Sequence, residues 1–229
     1  MILPSGISLL DRMMNGGLNT GLFTHVYGEA AAGKTTFGLQ FVKAMCRQGI
    51  GTIYINSEAT TPIERLELMT GKSFSDLETL VKIFLPNGFS EQGVLIDDLE
   101  LYIRDDARLV VIDTLTKHYR LALEDKKTNY INHRELNRQA GVLKGLARQH
   151  DIAVLVLNQV TSKMKGLEDI EPVAGNILDY WSDYTIKMMI GRSPGERLLR
   201  RIMPKGDKSE GRLFLTEEGF SVERTIEKE

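Results

Sequence analysis

The residues best suited to chemistry in this 229-residue chain form one short run, Gly28-Glu29-Ala30-Ala31-Ala32-Gly33-Lys34-Thr35, followed by Thr36. Its spelling, G-x4-G-K-[ST], is that of a phosphate-binding loop. Gly28 and Gly33 permit backbone conformations and close approaches that a side chain would block. Successive N–H groups can then wrap an oligophosphate, and a helix that starts at the loop adds its partial positive charge. Lys34 is placed to reach the β- and γ-phosphates of ATP, and the Thr35 hydroxyl to ligate Mg²⁺. At average glycine content the pattern arises by chance in about one in a hundred chains of this length. The expectation is an Mg·ATP site contacted by residues 28–36.

A second candidate is Leu109-Val110-Val111-Ile112-Asp113, a continuously apolar run that ends in a carboxylate. A strand covered on both faces would deliver Asp113 to the C-terminal edge of a sheet, where ligands of open α/β folds gather. Its expected task is the Mg²⁺ shell beside Thr35. Apolar strands ending in Asp occur in many α/β proteins, so the run gains its meaning from the loop.

Loop and carboxylate both need elements to position them. Residues 22–27 read as a strand running into the glycine turn, and 34–47 have helical spacing, with Phe37, Phe41, Val42 and Met45 on one face. Further strands are expected over 52–56, 81–85, 109–112 and 153–157. Helices are expected from Pro62 to about residue 69, over 90–104, and from about residue 132 to 150. The stretch 120–132 is polar and charged and reads as a flexible loop. Beyond 157 the chain turns β-rich, with 184–190, 197–203 and 212–215 separated by Gly, Pro and Ser turns as in hairpins. This order predicts an α/β fold of one domain over 1–229: a mostly parallel twisted sheet with helices on both faces and a C-terminal antiparallel β extension.

Composition narrows the function classes. The 42% hydrophobic and 26% charged fractions are ordinary globular values. No apolar run approaches the ~20 residues needed to cross a bilayer, and residues 1–10 lack the pattern of a signal peptide. The lone cysteine, Cys46, leaves no internal disulfide, fits a reducing cytoplasmic setting and reads as a small core residue. A net charge of −2 and a pI near 6.1 are not those of a protein coated for non-specific duplex binding. Any nucleic-acid contact must come from a local cluster. His118, His133 and His150 are scattered without a cysteine partner, so no structural zinc is expected.

Several further segments resemble the core of the RecA/RadA recombinases. Pro4-Ser-Gly-Ile-Ser-Leu-Leu-Asp11 with Gly16-Gly17-Leu18 and Gly21 resembles its lead-in, and Tyr54-Ile-Asn-Ser-Glu58 ahead of Ile63-Glu-Arg-Leu66 its second strand. Asn158-Gln159-Val160 is similar to the end of its central strand. Asp113-Thr114, Tyr119-Arg120 and Arg138-Gln139 resemble the first DNA-facing loop and its following helix, and Gly175-Asn176-Ile177 the end of the second loop. The resemblance spans nearly the whole chain; ring-forming clock ATPases are close cousins. The short archaeal RadB paralogues match best, because the chain is all core, with no room for an N-terminal helix-hairpin-helix domain and no phenylalanine-bearing polymerisation segment.

The resemblance implies a RecA-type P-loop fold and a division of roles. Glu58 matches the glutamate that orients the attacking water, although before Pro62 it could instead cap a helix. Gln159 matches the residue that senses the γ-phosphate and signals to the second DNA loop, although it could be merely a strand-end amide. Asn56 stands where the family often has aspartate, and Ala31 where eukaryotic relatives have an arginine packed on the adenine. These departures weigh against efficient turnover but not against ATP binding, and the resemblance to the RadB paralogues implies weak hydrolysis and no strand exchange of its own. Single-stranded or branched DNA is the implied partner, through Arg120, Lys126, Lys127 and Arg134 in the first stretch, with Lys117, His118 and Tyr119 beside them, and through Lys163 and Lys165 in the second. By composition alone a solvated surface competes, since Glu124, Asp125, Glu168, Asp169 and Glu171 dilute the charge. Trp181 and Tyr184 read as the start of an apolar strand with a core role. The implied function is accessory to homologous recombination and repair, beside a full-length RadA-type recombinase and a Holliday junction resolvase, with a homodimer possible. The competing function is a clock-type signalling ATPase or kinase, or a nucleotide-dependent adaptor, without a DNA role.

Overall fold

The structure, a computed structural model, describes residues 1–104, 106–161, 170–205 and 210–223. The chain opens with β1 (Ile2–Leu3), α1 (Ser8–Met13) and β2 (Leu18–Asn19), β1 and β2 pairing antiparallel as a small ribbon. β3 (Phe23–Gly28) leads through the glycine loop into α2 (Lys34–Gln48). Then follow β4 (Gly51–Asn56), α3 (Ile63–Thr70), α4 (Phe74–Leu77), β5 (Val81–Phe84) and α5 (Phe89–Asp97) with a 3-10 turn at Leu99–Tyr102. β6 (Ala107–Asp113), α6 (Lys117–Leu121) and α7 (Lys126–Gln149) come next. The remainder holds β7 (Ala153–Asn158), the paired stubs β8 (Val160–Thr161) and β9 (Glu171–Pro172), α8 (Gly175–Trp181), β10 (Tyr184–Ile190), β11 (Glu196–Met203), β12 (Glu210–Thr216) and β13 (Gly219–Ser221).

Nine strands form one sheet in the order β13-β12-β11-β10-β3-β7-β6-β4-β5. From β10 to β5 all neighbours run parallel, and from β10 to β13 all are antiparallel. The sequence explains the two-sided burial. In β6, Leu109 and Val111 join one apolar cluster, with Phe37, Phe41 and Met45 of α2. Val110 and Ile112 join the other, with Leu136, Ala140 and Leu143 of α7. A strand that must bury both faces cannot alternate polar with apolar, hence the unbroken run. The expected α/β class, with helices on both faces and an antiparallel extension, is what the molecule has.

The register aligns the chemistry. Tyr27 lies opposite Asn158, Leu157 opposite Asp113, and Asp113 opposite Asn56. The C-terminal ends of β3, β7, β6 and β4 therefore form one row, and the glycine loop, Gln159, Asp113 and Glu58 all project from it.

Four local expectations need correction. The 120–132 stretch is not a flexible loop: Asp125 accepts hydrogen bonds from the N–H groups of Lys127 and Thr128 at 2.8 and 3.0 Å, and this N-cap starts α7 at Lys126. Lys126, Lys127 and Arg134 thus stand on a helix. The helix expected over 90–104 stops at Asp97 and passes into the 3-10 turn. Gly175–Trp181 is a helix, so Trp181 ends α8 and does not begin a strand, while Tyr184 does begin β10. Cys46 is half-buried, packed on the edge of the core.

Candidate nucleotide-binding site

The loop between β3 and α2 has the conformation its glycines allow. A Cβ on Gly28 would stand 2.5 Å from the Met188 carbonyl oxygen of β10, and Gly33 takes φ +92° as α2 begins. Ala31 also has positive φ, at 60°. Ala32 is fully buried beneath the loop. Lys34 is buried too, and its Nζ donates to the carbonyls of Gly28 at 2.9 Å and Glu29 at 2.8 Å. Burial lowers the Lys34 pKa, opposed by the charges of Asp113, Glu58 and Glu29. The loop is braced from β11 by Arg197, whose Nη2 donates to the Ala31 carbonyl at 3.1 Å. It is braced from β10 by Ile190, whose N–H donates to Glu29 Oε1 at 3.2 Å.

At the second residue of α2, Thr35 Oγ1 donates to Asp113 Oδ2 at 2.7 Å, and Tyr54 of β4 donates to the same oxygen at 2.8 Å. Asp113 is buried, and desolvation holds its pKa above the usual carboxylate value, against the hydrogen bonds from Thr35 and Tyr54. A hydroxyl and a carboxylate side by side are hard oxygen donors of the kind Mg²⁺ takes from protein, leaving its other positions to water and phosphate. With Lys34 and the cradle that a Cβ at Gly28 would fill, the residues present fit Mg·ATP. Among the described residues no group of three or more His, Cys, Asp or Glu side chains is placed to hold a metal by itself.

A second group sits across the end of β6. Glu58 does not cap α3: Pro62 holds that position and no side chain caps it. Instead, Glu58 Oε1 accepts from Gln159 Nε2 at 2.9 Å and from Thr114 Oγ1 at 3.4 Å, while Lys117 Nζ of α6 lies 3.6 Å from Oε2. Arg120, also of α6, donates to Gln159 Oε1 at 2.5 Å. Asn56 folds the turn that presents Glu58. Its amide donates to the carbonyls of Glu58 and Thr60, and its oxygen accepts from the Glu58 N–H. An aspartate there could only accept, so the asparagine has a local reason.

Behind this group runs a chain of buried amides. Ser57 donates to Gln92 of α5 at 3.1 Å, and Gln92 donates to Gln139 of α7 at 2.9 Å and to the Leu115 carbonyl at 3.0 Å. Tyr54, Gln92 and Arg197 escaped the sequence reading. Each acts on a residue far away along the chain, and only the glutamine in the otherwise apolar face of α5 offered a signal. Of the basic candidates, Lys126, Lys127 and Arg134 are exposed along α7 and Arg120 is exposed at the end of α6. Lys163 and Lys165 lie outside the described residues.

The cradle after β3, the strand-end carboxylate of β6 and the parallel sheet extended by antiparallel strands define a RecA-type P-loop core. A family model described as Rad51 matches residues 1–222. The DNA repair and recombination protein RadB of Methanococcoides burtonii is 31% identical over 186 residues, 81% of this chain and 82% of its own. RadB of Methanothermobacter thermautotrophicus is 31% identical over 201 residues, 85% of each. A structure described as the crystal structure of the RadB recombinase aligns with a TM-score of 0.79 at 31% identity, covering 96% of this chain and 98% of that one. The chain belongs to the Rad51 family, in its RadB-like branch. Among the described residues no helix is long and apolar enough to cross a membrane.

Proposed function

We propose that the protein binds Mg·ATP in the loop 28–36, hydrolyses it slowly, and binds single-stranded or branched DNA as an accessory of homologous recombination and repair. The observation that carries the reading is Thr35 bonded to buried Asp113 beside Lys34, with the Glu58–Gln159 pair over the end of β6. Loop N–H groups and Lys34 hold the phosphates, and Thr35 and Asp113 hold the cation shell. Mg²⁺ held by Thr35 and Asp113 would supply neutralisation of the phosphate charge. Glu58 orients the attacking water, and Gln159 holds Glu58. Because phosphoryl transfer is mostly positioning and charge stabilisation, a carboxylate one strand from the cradle suffices for a slow reaction.

The rest of the reading follows the family. The chain acts as a single core domain, in the cytoplasm near the nucleoid, without strand exchange of its own. Its partners are a full-length RadA-type recombinase and a junction resolvase, with a second copy of the chain as a further partner in a homodimer. DNA contact runs through Arg120, Lys126, Lys127 and Arg134, with Lys163 and Lys165 from the segment beyond β8.

The test is an anisotropy titration of labelled single-stranded and branched DNA, with and without Mg·ATP, at two salt concentrations. Salt-sensitive binding that shifts with nucleotide is expected. Each phosphate contact removed by substitution should flatten the log–log salt slope by about 0.7–0.9. Absence of binding in both states would sink the DNA role and favour a signalling ATPase or adaptor.

A further inference from the structure

α7 and α8 pack together, and the groove between them has a volume of about 490 Å³, lined by His133, Arg134, Asn137, Asn176, Tyr180 and Trp181. A neighbouring hollow of about 540 Å³ on α7 shares Arg134 and Asn137. Nothing in the nucleotide site uses either.

Trp181, the inner ring of the groove's aromatic pair, is held in place before any ligand arrives. Trp181 Nε1 donates to Asn137 Oδ1 at 3.0 Å. Its six-membered ring lies so close to α7 that a Cβ on Gly141 would come within 3.1 Å of it. Tyr180 stands edge-on to Trp181, with centroids 5.0 Å apart and planes at 88°. Tyr180 is nonetheless 76% exposed, as is Tyr130 at 65%. Arg134 lies 5.9 Å over the Tyr130 ring and pairs with no carboxylate among the described residues. Lys126, Tyr130 and Arg134 follow at intervals of four, so they share one face of α7.

On the α7 side of the groove Arg134, with Lys126 and Lys127 nearer the start of the helix, is free of carboxylate partners among the described residues. Glu135 is held by Arg138 and Gln139, and Asp179 is turned toward the buried His25 of β3, away from Arg134. A fixed, partly exposed indole and an exposed phenol beside cations without carboxylate partners are what an unpaired base and its flanking phosphates require. Stacked bases of a duplex offer no such face. The apolar lining is confined to Ile177, Tyr180 and Trp181, and the polar rim of His133, Arg134, Asn137 and Asn176 suits the edge of a base better than the apolar face of a helix.

We propose that the α7–α8 groove binds an unpaired nucleobase of single-stranded nucleic acid, stacked in the Tyr180–Trp181 corner, with Arg134 on a flanking phosphate. This rests on the DNA-binding reading above and deepens it, placing one base between the two helices that follow the two DNA-facing stretches.

Trp181 is the only tryptophan in the chain, so its emission reports on the groove. The full chain is titrated with oligothymidylate and with an abasic oligonucleotide of equal length, reading tryptophan emission and DNA anisotropy together. Quenching by oligothymidylate is expected, with little from the abasic strand. Tyr180→Ala and Arg134→Ala should each weaken binding by about tenfold, while Tyr180→Phe keeps the ring and the affinity. DNA binding with unchanged emission, or equal quenching by the abasic strand, overturns the groove and leaves the DNA reading standing. No DNA binding by either readout overturns both. Emission that changes with protein concentration alone, without DNA, would make the groove a contact between copies and overturn the proposal.

Discussion

Gln159 at the end of β7 donates to Glu58 beyond the end of β4, at 2.9 Å, across the end of the strand that carries Asp113. Thr114 donates to the same oxygen, and Arg120 completes the set by donating to Gln159. The carboxylate and the amide are thus one unit, and substitutions in a unit do not add. Glu58→Gln should lower ATP hydrolysis at least tenfold with nucleotide affinity little changed, because the lost function is orientation of water. Gln159→Ala should lower the rate as well, and the double variant should be no slower than Glu58→Gln alone. Steady-state phosphate release with a parallel nucleotide titration measures all three. Additive losses would mean that the two residues act separately.

Asp113 leads to a prediction with opposite signs for stability and binding. Burial raises its pKa above the ordinary carboxylate value of 3.8, so the folded chain holds that proton more tightly than the unfolded chain. Its stabilising contribution is therefore complete below about 3.8 and is lost as pH rises through the folded value. At neutral pH the buried charge opposes folding of the ligand-free protein. Asp113→Asn should raise the thermal midpoint without ligand at neutral pH. It should also abolish most of the further rise with Mg·ATP, which for the wild type is about 2.7 kcal/mol at a hundredfold excess over Kd. Thermal melts with and without Mg·ATP decide. A variant less stable than wild type in the absence of ligand would show that the bonds from Thr35 and Tyr54 outweigh desolvation.

The phosphate loop was legible because its residues are contiguous and its physics is local: glycines for backbone shape, a lysine and a threonine at fixed offsets. Asp113 was legible because an apolar run ending in a carboxylate tells where a buried strand stops. The Tyr54–Asp113 and Arg197–Ala31 bonds were not, since they join residues 59 and 166 positions apart through the parallel order and the folding-back of β11. The start of α7 was hidden for a different reason. Its first turns are polar because they are exposed, and the Asp125 cap, not periodicity, marks the boundary. Trp181 read as core because its neighbours are apolar, but α8 leaves it partly exposed.

The buried amides should matter to stability more than to hydrolysis. Gln92→Leu would strip partners from Ser57, Gln139 and the Leu115 carbonyl at once. Each unsatisfied buried group costs about 1–3 kcal/mol, so a loss of at least ~2 kcal/mol is expected in urea denaturation. Gln92→Glu, which keeps the acceptor for Ser57 but loses the two donated bonds, should be no better. An unchanged urea midpoint for Gln92→Leu would mean that water or a rearranged Gln139 satisfies the freed groups.

His25 should make stability depend on pH in the mildly acidic range. It lies on β3, three residues before Gly28, fully buried. Its Nε2 is 3.3 Å from Asn158 Nδ2, which places the ring proton on Nδ1, 3.4 Å from Asp179 Oδ1 of α8. Desolvation lowers its pKa from 6.5, and the Asp179 carboxylate opposes this without reversing it. The unfolded chain therefore takes up the proton first. The contribution of neutral His25 is complete above 6.5 and declines as pH falls toward the folded value. Denaturation midpoints should drop between about pH 7.5 and pH 5 in the wild type and drop less in His25→Gln, which has no proton to bind. An equal drop in both would assign the acid sensitivity to other groups. A midpoint that rises on acidification only in the wild type would mean that Asp179 stabilises the imidazolium after all.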